Sequence, residues 1–149
     1  MNKIREYKGE KTVAQLTARL VPPNDNYPNC MCELVLTDHH LYVLEDNYDD
    51  TWTEHFIFPI AQIEEMRGRT DKNGSEQGYT RTQYLVSEIL GALSGFIVLP
   101  GKKVEEVKLL LVTYKDGMGK QDTVFFRDLG SSSKPFVKAF EKVKEAFYA

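Results

Sequence analysis

The chain has 149 residues, 42% of them hydrophobic and 28% charged, with a formal charge of -3. That is the size of one domain, too apolar for a disordered chain and long enough to bury a core without staples. A slightly acidic chain has no global attraction for polyanions, so nucleic acid is not an expected partner.

Residues 1–11 are polar and charged and read as a loose arm. They carry no apolar leader or cleavage pattern, which predicts a cytoplasmic location. Ala14, Leu16, Ala18 and Leu20 then alternate with Gln15, Thr17 and Arg19, the period of a half-buried strand. It stops at the loop-forming run Pro22-Pro23-Asn24-Asp25-Asn26. A second strand is expected over Cys30 to Thr37 and a third over Leu41 to Glu45. The polar turn Asp38-His39-His40 joins them into a hairpin. Thr51 to Phe58 reads as a fourth strand with three aromatics, Trp52, Phe56 and Phe58. Ile60, Ile63 and Met66, three apart, suggest a bend into a short fifth strand ending near Arg67.

Residues 68–103 break the pattern. Gly68 to Ser75 is polar and turn-forming, whereas Tyr84 to Leu99 is the most apolar stretch of the chain. Val104 to Lys115 and Asp122 to Leu129 then form a second hairpin around Asp116-Gly117-Met118-Gly119-Lys120. The chain closes on a helix. Ser131, Ser132 and Ser133 offer N-cap hydroxyls, Pro135 suits a first turn, and Phe136, Phe140, Val143 and Phe147 recur along one face.

The segment Leu34-Val35-Leu36-Thr37-Asp38 with Leu41-Tyr42-Val43 resembles a hairpin of bacterial pleckstrin-homology and GRAM-like domains. Phe58-Pro59-Ile60 with Ile63 and Met66 is similar to the stretch that follows it there. The resemblance covers roughly residues 12–67 and 104–148. It implies a mainly β (α+β) fold, a pleckstrin-homology-like antiparallel barrel of about seven strands capped by the C-terminal helix. A helical insertion then falls between strands five and six, within one domain spanning 1–149. Such folds serve mainly as binding modules for lipid headgroups, peptides or neighbouring domains. Phosphoinositide binders of this kind carry several cations in the first hairpin loop; here Pro22 to Asn29 holds Asp25 and no Lys or Arg.

Candidate chemistry is sparse. Cys30 and Cys32 share one face of a strand and read as ordinary half-buried thiols, since a zinc site needs two further ligands at suitable spacing. His39 and His40 read as turn residues. Asp46, Asp49 and Asp50 lack the spacing and terminal Glu of a calcium loop. No phosphate loop, Gly-x-Ser-x-Gly or His-Glu-x-x-His motif occurs. No catalytic residue, cofactor or metal ligand is therefore expected. The one candidate surface is the insertion. Read as a helix, it sets Val86, Ile89, Leu90, Leu93, Phe96 and Ile97 in an apolar stripe, while Gly91 and Gly95 permit close approach of another backbone. The run includes Glu88 and is shorter than the roughly 20 residues that span a bilayer.

The resulting expectation is a non-enzymatic interaction module that meets a protein partner, or a second copy as a homodimer, through this stripe. Peripheral membrane or lipid-headgroup contact is the second reading. An enzyme whose residues converge only in three dimensions is the third.

Overall fold

Alternating apolar and polar residues give each strand one face for a core, and the strands assemble so that those faces coincide. A computed structural model of the chain describes residues 3–21, 30–74, 105–129 and 133–148. Its strands are β1 (Glu6–Tyr7), β2 (Glu10–Lys11), β3 (Ala14–Leu20), β4 (Met31–Leu36), β5 (His40–Asp46) and β6 (Trp52–Pro59). A 3-10 turn (Ile60–Gln62) leads to β7 (Ile63–Gly74), β8 (Glu105–Lys115), β9 (Gln121–Asp128) and helix α1 (Lys134–Phe147). β3 to β9 form one antiparallel sheet in the order β6-β5-β4-β3-β9-β8-β7, and β1 and β2 make a separate hairpin. The described residues thus form a mainly β fold, a seven-stranded antiparallel sheet with one C-terminal helix.

β3 is the hinge of the sheet. It pairs with β4 from Ala14↔Leu36 to Arg19↔Met31, and with β9 from Ala18↔Asp128 to Leu20↔Phe126. The inner face gathers Leu34, Leu36, Leu41, Val43, Phe58, Leu110, Val112, Val124 and Phe126 into one core, onto which α1 lowers Phe136, Phe140 and Val143. Each of these three side chains stabilises by about 1.5–3 kcal/mol on burial. Two smaller clusters lie outside that core. Ile4, Val35, Tyr42 and Leu44 pack with Tyr7 and Trp52, and Val21, Leu109, Leu111 and Phe125 form the other.

Four expectations need correction. The barrel is not closed: β6 and β7 stand at opposite ends of the sheet order, joined through the 3-10 turn. Pro59, which has no N–H to donate, ends β6 there. Second, β7 runs on through Gly74, because Gly68↔Leu110 and Gly74↔Glu105 continue its pairing with β8. Cross-strand hydrogen bonds outweigh the turn propensity of Gly68 to Gly74. Third, residues 6–11 are no loose arm. Lys8 (φ 50) and Gly9 (φ 79) turn them into a hairpin, and Ile4 and Tyr7 anchor it on the sheet. Fourth, Phe147 is 48% exposed and meets Tyr148 edge-on, so the buried stripe of α1 ends at Val143. The expected helix over 84–99 lies outside the described residues.

Phe140→Asp would set an unpaired charge in the inner core, where Phe140 is 2% exposed. Chemical denaturation is expected to show a loss of about 4 kcal/mol or more, a fall of about 10 °C in Tm. A variant that melts like the wild type would mean α1 is not seated on the sheet.

Candidate functional site

Three arrangements of polar groups stand out among the described residues. The first fixes the N-terminal hairpin to the outer face of the sheet. Glu10 accepts hydrogen bonds from Thr37 Oγ1 (2.5 Å) and the Tyr42 hydroxyl (2.6 Å), and its carboxylate lies 3.0 Å from His40 Nδ1. Burial alone would raise this carboxyl, but the bonds from Thr37, Tyr42 and His40 hold it down to about 2 from its ordinary 4.5. Tyr7, edge-on to Tyr42 at 4.7 Å, is pushed up to about 12 by burial and by its hydrogen bond with Glu54. Lys8 pairs with that same Glu54 at 2.8 Å. Next to this network, Glu33 is buried and accepts hydrogen bonds from Thr17 (2.8 Å) and Gln15 (2.9 Å). His40 is therefore part of a clamp rather than a plain turn residue. Its Glu10 partner already accepts from two hydroxyls, the arrangement of a structural tie.

The second arrangement lies at the end of the β5–β6 hairpin away from the 3-10 turn. The pairing of β5 with β6 shifts between Val43↔Phe56 and Leu44↔Glu54, so His55 is the extra residue of a β-bulge. Plain alternation from Phe56 would turn His55 outward; the bulge re-aims it. Its Nε2 lies 3.5 Å from Cys30 Sγ and 2.8 Å from Glu45 Oε1, and the two sulfurs are 3.5 Å apart. A nucleophile–histidine–carboxylate relay needs the thiol on one ring nitrogen and the carboxylate on the other. Here one nitrogen faces both. Burial pushes both thiols up, with Glu45 adding to the rise at each, which is the opposite of what activates a nucleophile. The histidine side chain is 11% exposed and that of Glu45 39%, so the group opens to solvent on the Glu45 side.

The third is a groove of about 530 Å³ between the first turns of α1 and the β7–β8 side of the inner face. Arg69, Lys108, Lys134 and Lys138 line it, with Asp128 and Glu141 as the carboxylates. Gly68 lets the helix start come close: a Cβ there would sit 3.3 Å from Ser133 Oγ. Ser133 holds the N-cap position without a side-chain capping bond, contrary to the expected hydroxyl cap, and Val137 N–H donates to its carbonyl instead. Asp128 Oδ1 is buried with no hydrogen-bond partner among the described residues. Arg69 lies over the Phe125 ring, 5.9 Å from its centroid.

The aspartates of the β5–β6 turn are used locally. Asp46 Oδ1 accepts from Tyr48 N–H (2.8 Å) and Asp49 caps Thr51, with Tyr48 and Asp50 at positive φ. The sequence-predicted surface, Val86, Ile89, Leu90, Gly91, Leu93, Gly95, Phe96 and Ile97, lies outside the described residues. Sequence reasoning missed the groove, because its cations come from three separate elements. It also missed the His55 convergence.

No protein-family model matches this sequence, and no curated protein matches it. Among solved structures the chain is similar to Vav1, in a structure described as Vav1 inhibited by an allosteric inhibitor, with inhibitors blocking GEF activity. The TM-score is 0.48 and the identity 13%, over 93% of this chain and 28% of that chain. This chain thus spans well under half the length of the protein it matches. Among the described residues no helix is long and apolar enough to cross a membrane.

The Glu10 clamp has a pH signature. Its folded-state value lies below the ordinary carboxylate value, so its stabilisation is complete above about pH 4.5 and is lost as pH falls toward about 2. Glu10→Gln is expected to cost about 1–3 kcal/mol at neutral pH and to flatten the stability curve between those limits. Urea midpoints measured across that range check it; parallel curves for variant and wild type would contradict it.

Proposed function

We propose that this chain is a non-enzymatic, cytoplasmic interaction module of the pleckstrin-homology and GRAM-like kind, and that its groove beside α1 takes an acidic protein segment. The groove's charge carries this reading. Lys108, Lys134 and Lys138 line it against Asp128 and Glu141, with Arg69 beside them turned onto the Phe125 ring, in a chain whose overall charge is -3. Local complementarity of this kind steers and orients a partner even where the net charge repels it.

A titration with a glutamate-rich peptide, followed by amide NMR, tests this. Saturable shifts are expected at Gly68, Thr70, Lys108 and Val137. They should weaken about tenfold or more in Lys134→Glu/Lys138→Glu, whose two positions are exposed. Phosphatidylserine vesicles should not pellet the protein; salt-sensitive pelleting without peptide binding would replace the protein reading with a membrane one.

The apolar spacing of Val86, Ile89, Leu90, Leu93, Phe96 and Ile97, with Gly91 and Gly95 opposite, favours a second contact, by self-association of that segment. Leu93→Glu should turn a dimer into a folded monomer by light scattering. A lowered melting temperature with unchanged mass would instead mean that the stripe covers the chain's own core, for which the outer cluster of Val21, Leu109, Leu111 and Phe125 offers a place.

A further inference from the structure

We propose that Cys30, Cys32, His55 and Glu45 form a structural zinc site that ties β4, β5 and β6 together at one end of the sheet. The two sulfurs and His55 Nε2 lie within 4.8 Å of one another. Tetrahedral zinc bonds sulfur at about 2.3 Å and nitrogen at about 2.0–2.1 Å, which separates its ligand atoms by roughly 3.5–3.8 Å. Cys30 Sγ lies 3.5 Å from both Cys32 Sγ and His55 Nε2, and Cys32 Sγ lies within 4.8 Å of that nitrogen. Glu45 Oε1 lies 2.8 Å from the same nitrogen but outside the three-atom group, and it swings in from the solvent side as the fourth donor. That gap widens by about 0.5 Å when a metal replaces the hydrogen bond.

Donor type agrees with donor spacing. Two thiolates and an imidazole select a borderline-soft ion and disfavour calcium and magnesium, which take oxygen ligands. Zinc binding releases the two thiol protons to solvent, leaving two thiolates, one carboxylate and a neutral imidazole around a double positive charge. The β-bulge gives the convergence a cause. Without the extra residue in β6, His55 would face away from both cysteines. With four protein donors the site is closed, the pattern of a structural rather than a catalytic zinc.

The test uses the full chain, stripped with a chelator and then given zinc alone. One zinc per chain is expected to survive gel filtration and to raise Tm. Cobalt in its place should give the thiolate charge-transfer absorption of a tetrahedral site. His55→Ala should weaken zinc binding by about 100-fold or more, at or beyond the upper end of what loss of an outer-shell partner costs. Glu45→Gln, at the solvent side, should weaken it less while leaving the cobalt–thiolate band. Should His55→Ala fail to fold, the wild-type stoichiometry and the Glu45→Gln protein still decide the matter. Stripped wild type that takes up no stoichiometric zinc would overturn the proposal. So would a His55→Ala protein that binds zinc as wild type does.

Discussion

The seating of α1 on the inner face of the sheet is the contact on which the other features depend. An open seven-stranded sheet has two faces to cover, and its inner one is lined with Leu34, Leu36, Leu41, Val43, Leu110, Val112 and Phe126. Phe136, Phe140 and Val143 cover it from a single helical stripe that reaches β3, β7 and the 3-10 turn, and so bridges the two ends that hydrogen bonds leave apart. The cover is shorter than the sheet. The groove opens where α1 begins, and the cysteine–histidine group lies at the end of the β5–β6 hairpin opposite the 3-10 turn that α1 touches. Both candidate sites are therefore consequences of how far one helix extends.

The outer face shows a different economy. Its β4–β5 half holds Val35, Tyr42 and Leu44, too apolar to leave in water, and the chain covers them with its own N-terminal residues. A hairpin of two-residue strands is marginal by itself. It persists because Ile4 is buried, Tyr7 is half-buried against the same cluster, and Glu10 is held by three side chains. Stability and titration are thus tied together on that face, and acid weakens the segment whose cover is thinnest.

Much of this was readable in the residues and some was not, for identifiable reasons. The strands of the first half follow the alternation of Ala14 to Leu20 and the β-branched and aromatic runs after it. The helix follows the spacing of Phe136, Phe140 and Val143. Periodicity reports such elements because burial of one face is what creates it. The extension of β7 through Gly74 was hidden, since its pairing rests on backbone bonds to β8 that side-chain type does not announce. The docked arm was hidden because two apolar residues among charges set up no period, although positive φ at Lys8-Gly9 is the turn chemistry of a tight hairpin. Cys30 and Cys32 were visibly on one face, but His55 joins them only through a bulge, and a bulge reverses the parity by which faces are assigned. The net charge of -3 likewise concealed a groove lined by four cations from three elements.

The central claim is that α1 and the sheet are one cooperative unit rather than a sheet with an appended helix. Native-state hydrogen exchange under increasing denaturant measures this directly, because it assigns an opening free energy to each amide. The account predicts that the amides of Phe140 to Lys144 exchange only through global unfolding, with the same free energy and denaturant slope as Leu34, Val43 and Val112. Exchange of the helix through a separate opening, several kcal/mol below that of the strands, would contradict it.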